Sequence, residues 1–211
     1  MEENKLVFDR TGSRRILMQA LEESERRLIL VCPWVTNQGV NESVISSFTR
    51  LLESGVEINL GWGYKPDIFE KNKTYFSQKD FDNIINSWKY SGLKKLIPLK
   101  ERYPNLGLKL LCTHEKYLVC DYNFAMLGSH NFLTSIENND EREVGFYTTD
   151  IGIVQDLIER FDNAKNFYSG DTINEDDFFF DEFSLEQEAM GYYAFGENLG
   201  ISYEQYLDMF C

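Results

Sequence analysis

The chain is short of the residues that staple small domains or hold metal ions. It carries only four cysteines and two histidines in 211 residues, with no C-x-x-C pair and no cysteine–histidine group at zinc spacing. Cys32, Cys112 and Cys120 stand inside apolar runs, which predicts buried free thiols rather than disulfides or metal ligands. No apolar run approaches the length of a membrane span, and the charged start MEENKLVFDRTGSRR lacks the apolar core of a signal peptide. These absences predict a cytoplasmic protein with no membrane partner. Basic residues are missing altogether from 166 to 211, a stretch that holds eleven Asp and Glu.

That last absence changes how the formal charge of −14 is understood. The acidity belongs mostly to the tail. Residues 1–165 are close to neutral, and within them 65–102 has an excess of Lys and Arg. An averaged charge would hide this polarity, which bears on what the protein binds. A hydrophobic content of 43% with 15% aromatics is globular, and a chain of this length can bury a substantial core.

The order of patterned segments predicts a layered α/β domain. KLVFD (5–9) reads as a strand. TGSRRILMQALEESE follows as an amphipathic helix with Ile16, Leu17, Ala20 and Leu21 on one stripe and Thr11 or Ser13 as its cap. RLILVCPWV (27–35) is apolar on both faces, as in a sheet covered by helices on each side. A helix from Asn41 to Gly55 and the strand VEINLGWGY come next, a β-α-β-α-β run that predicts a mixed, largely parallel sheet in an α-β-α sandwich. Residues 65–104 look like an insertion, helical over FSQKDFDNIINSWKYSG and then a loop with Pro98 and Pro104. LGLKLLCTH, KYLVCD, FAMLGS and EVGFYT are four short strands, and DIGIVQDLIERFDNAKNFYSG is a capped helix.

The chemistry concentrates in CTHEKYLVCDYNFAMLGSHNF (112–132), which contains both histidines. Alternation along a strand puts His114 and Lys116 on one face, and Ser129 and Asn131 on one face. YNF is short enough to turn FAMLGS back alongside KYLVC, so that these four converge at one sheet end. The same alternation points His130 away, to a surface or hydrogen-bonding role. A neutral imidazole is a nucleophile or proton carrier near pH 7, and ammonium, hydroxyl and amide groups are donors suited to an anionic oxygen. With no thiol, metal set or Ser-His-Asp order, the group favours phosphoryl over acyl transfer. Gly128 removes a side chain where a phosphate would approach backbone. Trp34, after Pro33, either packs at the strand end or walls a cleft.

His114, Lys116, Asp121, Gly128, Ser129 and Asn131 fill every fixed position of H-x-K-x4-D-x6-G-S-x-N. This resembles the signature of the phospholipase D superfamily, and the likeness extends over roughly residues 5–165, with 65–104 and the tail outside it. The resemblance implies a catalytic domain over 1–165 and a tail over 166–211. It implies that His114 attacks phosphorus to form a phosphohistidine, that Lys116, Ser129 and Asn131 hold phosphate oxygens, and that Glu143 orients the histidine. Asp121 would be a catalytic member or a brace for the hairpin. No metal ion or other cofactor is implied. The mechanism needs a second histidine, and the chain has no second H-x-K, so the resemblance implies a homodimer with one His114 from each copy.

The basic insertion, the absence of a membrane helix and a likeness to compact bacterial nucleases, some acting in defence against phage and foreign DNA, favour a nucleic acid substrate. The rivals are a lipid-directed phospholipase or transphosphatidylase, and a dimeric phosphate-binding module without catalysis. The tail is too aromatic for a simple solubilising segment, with Phe178, Phe179, Phe180, Tyr192 and Tyr193 among its acids. It would dock on the body or on the dimer mate, recruit a regulatory protein partner, or mimic nucleic acid in the basic cleft.

Overall fold

Continuous apolar runs become the centre of the sheet. In the computed structural model, residues 3–69, 78–134 and 142–167 are described; they fall in the first of two compact units, Met1–Thr172, and the tail expectations lie outside them. The strands are β1 (Asn4–Phe8), β2 (Arg27–Val31), β3 (Glu57–Trp62), β4 (Leu106–Leu110), β5 (Tyr117–Cys120), β6 (Phe124–Gly128) and β7 (Val144–Thr148). They form one seven-stranded sheet in the order β1-β7-β6-β5-β2-β3-β4.

Helices cover both faces, as the doubly apolar β2 requires. Ile29, Val31, Tyr117, Val119 and Ala125 pack against Val154, Ile158 and Phe161 of α6 (Ile151–Asn163). On the opposite face lie α1 (Asp9–Glu23) and α2 (Glu42–Glu53). There the Ser24 hydroxyl at the end of α1 reaches Cys120 Sγ at 3.3 Å, and Leu17, Ala20 and Leu21 are buried. Cys32 and Cys120 are buried free thiols and Cys112 is half-buried.

The α/β sandwich is as expected, but the balance of the sheet is not. Only β2–β3 and β3–β4 are parallel; the other four pairings are antiparallel. The reason is connection length. Asp121–Asn123 is a three-residue turn that forces β6 back along β5, and parallel strands need a long crossover. β5 itself is inserted beside β2, so residues 111–116 cross the ends of β3 and β2 to reach it.

Three local expectations are corrected. Neither Thr11 nor Ser13 caps α1: the helix starts at Asp9, Phe8 is its cap, and the Ser13 hydroxyl bonds back to Arg10 O at 3.0 Å. The first helix of the 76–92 stretch, α4 (Gln78–Ile85), stops at Ile85, where Asn86 Nδ2 donates to the Asp82 carbonyl at 2.6 Å and Ser87 turns extended. A 3-10 turn over Trp88–Tyr90 follows. Residues 93–102 are helix α5 rather than loop, running through Pro98. Proline forfeits one hydrogen bond there, and burial of Leu93 and Leu96 holds the helix in place. Asn41 caps α2 and Asp150 caps α6, both through side-chain oxygens.

Candidate active site at one edge of the sheet

Because β2, β3 and β4 run parallel and β5 returns antiparallel, several chain crossings meet at one edge. The ends of β1, β2, β3, β4 and β6 and the starts of β5 and β7 all lie there. His114 sits on the crossing segment, which is anchored to β3 by Leu111 N–H to Trp62 O and Thr113 N–H to Gly63 O, each 2.8 Å. Residues 111–116 are not strand, so alternation does not govern where His114 and Lys116 point. What brings the two together is a tight loop, in which Lys116 Nζ donates to His114 O at 2.9 Å.

The His114 imidazole is exposed and flanked by two half-buried rings, Tyr64 with centroids 5.0 Å away and Trp34 at 6.0 Å. Trp34 therefore walls the site. Lost solvent around the ring, with the nearby Lys116 charge second, lowers its pKa from the ordinary 6.5. The imidazole is therefore neutral near pH 7, the form in which a histidine ring can act as a nucleophile. Lys116 is also lowered, by partial burial, against the opposing pull of Glu143. The neighbouring Cys32 thiol is pushed up to about 12 by burial, so it stays protonated.

Ser129 and Glu143 reach the same edge through β6 and β7. Gly128 N–H bonds Lys116 O at 3.1 Å, and the Ser129 hydroxyl accepts the Val144 N–H at 3.1 Å. Gly128 serves this crossing rather than a phosphate. A Cβ there would lie 2.5 Å from both Gly145 Cα and Val144 O, so the close approach is to β7 backbone. Asn131 is held by a residue that sequence reasoning missed. Buried Arg10 donates from Nη1 to Asn131 O at 2.5 Å and from Nη2 to Thr134 Oγ1 at 3.1 Å. The Asn131 Oδ1 is buried with no hydrogen-bond partner among the described residues.

His130 is neither at the surface nor in the site. It is fully buried, with Nε2 3.1 Å from Asp9 O, and burial lowers its pKa. Asp9 also bonds Glu143 O through its N–H at 2.9 Å, so the β1–α1 junction braces Glu143, His130 and, through Arg10, Asn131. Nothing in the DRTGSRR stretch signalled this, since arginines at a helix start are ordinarily solvated.

Asp121 alone is elsewhere. It lies at the far end of β5, five residues and roughly 16 Å along the strand from Lys116. Its carboxylate accepts the backbone N–H groups of Glu25, Arg26 and Arg27 at 2.8, 2.9 and 2.6 Å. Of the two roles expected for it, that of brace fits this placement.

At one end of this α/β sandwich an imidazole stands among ammonium, amide and hydroxyl donors suited to an anionic oxygen. The chain is a member of the phospholipase D superfamily of phosphodiesterases: the family described as "Cardiolipin synthase, PLD-like domain" matches residues 17–165, a span that includes 65–104. No curated protein matches the sequence. Among solved structures it is similar to NucT from Helicobacter pylori, at 14% identity and a TM-score of 0.50 over 78% of this chain and 96% of that one. It is similar to phosphatidylserine synthase from Haemophilus influenzae Rd KW20, at 14% identity and a TM-score of 0.55 over 77% and 38%. Polyphosphate kinase from Porphyromonas gingivalis gives 16% identity and a TM-score of 0.52 over 82% and 27%. At these identities the likeness is one of fold.

Proposed function

We propose that the chain is a nuclease that hydrolyses DNA or RNA phosphodiester bonds through a phosphohistidine on His114, in a homodimeric site. The observation that carries this is the exposed His114 ring, held neutral between two aromatic rings beside the Lys116 ammonium. An imidazole nitrogen attacks phosphorus, a P–N bond forms, and the P–O bond to the leaving alcohol breaks as that oxygen takes a proton. Water then attacks phosphorus, giving its proton away as the P–N bond breaks and the imidazole is released. Lys116, Ser129 and Asn131 stabilise the charge on the phosphoryl oxygens, and Glu143 favours the charged form of Lys116 from the β7 side. His114 of a second copy, protonated while the attacking His114 is neutral, gives its proton to the leaving oxygen and takes one back from the attacking water.

Support for nucleic acid comes from α5, where Lys94, Lys100 and Arg102 are exposed. No helix among the described residues is long and apolar enough to cross a membrane. The basic excess is not all free for this use, because Lys95 donates to Asn37 O and Val40 O and Lys89 pairs with Asp67. Action against phage or other foreign DNA, in the cytoplasm, is part of the same proposal and rests on the likeness to compact bacterial nucleases.

The test is a panel of single- and double-stranded DNA, RNA and phosphatidyl lipids in the presence of chelator, with wild type and His114→Ala, and the solution mass alongside. Cleavage of nucleic acid by a dimer, lost in His114→Ala, is the expected result. Turnover of lipid alone, or a strict monomer that is active, overturns the proposal.

A further inference from the structure

One carboxylate links the 65–104 insertion to the His114 site. Asp67, on the short helix α3 (Lys65–Ile68), accepts from Lys89 Nζ at 2.7 Å, Trp34 Nε1 at 2.8 Å and the Tyr90 hydroxyl at 3.1 Å. The same Tyr90 hydroxyl accepts the backbone N–H of Tyr64 at 3.0 Å, and Tyr90 itself is buried. Burial pushes the Asp67 carboxyl upward, but the three donors and the Lys89 charge outweigh it, so the group stays ionised. Lys89 also lies over the Trp34 ring, 5.4 Å from its centroid. Trp34 and Tyr64, the two residues that Asp67 thus fixes, are the two whose rings flank His114. They also contact each other edge-on at 5.6 Å.

An indole pinned at Nε1 keeps one ring plane, and a tyrosine tied through its backbone keeps one starting direction for its side chain. Support of this kind, behind the reacting group, decides whether a site is held to the tolerance its chemistry needs. We propose that Asp67 is a positioning residue for His114, acting through Trp34 and Tyr64, so that the insertion sets the orientation and solvent exposure of that imidazole. The inference rests on His114 being the nucleophile. The charge that acts on His114 directly is Lys116, on its own loop; Asp67 and Lys89 stand behind the Trp34 ring and pair with each other.

The chain has two histidines, so imidazole NMR reports the site directly, with His114→Gln assigning the signals and buried His130 serving as the internal control. In Asp67→Ala the His114 titration midpoint should rise toward 6.5, because a released Trp34 lets solvent back, while the His130 signals stay in place. Trp34→Phe, which keeps a ring but not its donor, should move the midpoint the same way. Asp67→Asn, which retains an acceptor for Trp34, should restore most of the wild-type value. On bis(4-nitrophenyl) phosphate, which fills only the reacting site, kcat should fall roughly tenfold in Asp67→Ala with KM little changed. An unmoved His114 midpoint in a folded Asp67→Ala chain overturns the inference. If that variant does not fold, Trp34→Phe decides on the same reading. Should the wild type hydrolyse no diester at all, the proposed nuclease activity fails, while the NMR titration still decides the role of Asp67.

Discussion

Asp121 and Arg27 meet at the end of the sheet opposite His114, where Asp121 Oδ1 accepts the Arg27 backbone N–H at 2.6 Å. With the Glu25 and Arg26 N–H groups on the same carboxylate, this closes the turn between α1 and β2. Asp121 is nearly buried and takes a left-handed backbone at φ 50°. Asp121→Ala should therefore cost at least about 3 kcal/mol of stability, since it strands three N–H donors. Turnover per folded molecule should survive. Thermal unfolding alongside kcat separates the two effects, and a stable but inactive variant would contradict this.

The crossing of β6 and β7 depends on Gly128 and Gly145 lying backbone to backbone. In Gly128→Ala the new methyl would meet Gly145 Cα and Val144 O, neither of which can swing aside. A loss of about 2 kcal/mol or more is expected, read from denaturant unfolding. Gly145→Ala should also destabilise, because its Cβ would lie 2.9 Å from the His130 ring.

Arg10 holds the loop that carries Asn131. Arg10→Met keeps an apolar stem but removes both hydrogen bonds, to Asn131 O and to Thr134 Oγ1. The expected result is a kcat roughly tenfold lower on a small diester, as the amide loses its fixed position. Steady-state kinetics would show it, and an unchanged kcat would make Arg10 a purely structural residue.

The pH profile should carry the signature of His114. With His114 as the proposed nucleophile, its lowered pKa keeps the ring neutral as the pH falls, and the acid limb of kcat/KM should have its midpoint below 6.5. A midpoint above 6.5 would mean that a nearby negative charge outweighs the lost solvent.

Acid should also weaken the fold through Asp162. Arg27 donates to it twice, at 3.0 and 2.5 Å, and these bonds hold its carboxyl below the ordinary value of 3.8. A depressed folded pKa contributes stability that is full above the unfolded value and is lost as pH falls through the folded one. The Tm gap between wild type and Asp162→Asn should be open at pH 7 and close below about pH 4. Because Asp162 is half-exposed, salt should narrow the gap.

The parts legible in the sequence were those set by local pattern. The apolar stripe of α1, the caps Asn41 and Asp150, a tight turn between β5 and β6 and the doubly apolar β2 each follow from neighbours within a few residues. The end of the helix at Ile85 and the helix through Pro98 did not, because a side-chain bond to a carbonyl and the burial of Leu93 and Leu96 outvoted local preference. Strand alternation gave the right separation of His114 from His130 for an incomplete reason. His114 and Lys116 are on a loop, and His130 is removed by its own burial beside Asp9.

By itself the sequence determined the family and which residue types stand at the motif's fixed positions, because H-x-K-x4-D-x6-G-S-x-N is a matter of identity and spacing along the chain. Only the tertiary structure decided which of those residues share a site. β5 lies between Lys116 and Asp121, so its length carries Asp121 to the far edge while β6 and β7 return Ser129 and Glu143 to the near one. It also decided what surrounds His114. Trp34, Tyr64, Asp67 and Tyr90 are distant in sequence from His114 and meet near it only because the ends of β2 and β3 open onto the same edge as the crossing loop. Convergence of that kind is a property of strand order, which no short stretch of sequence encodes.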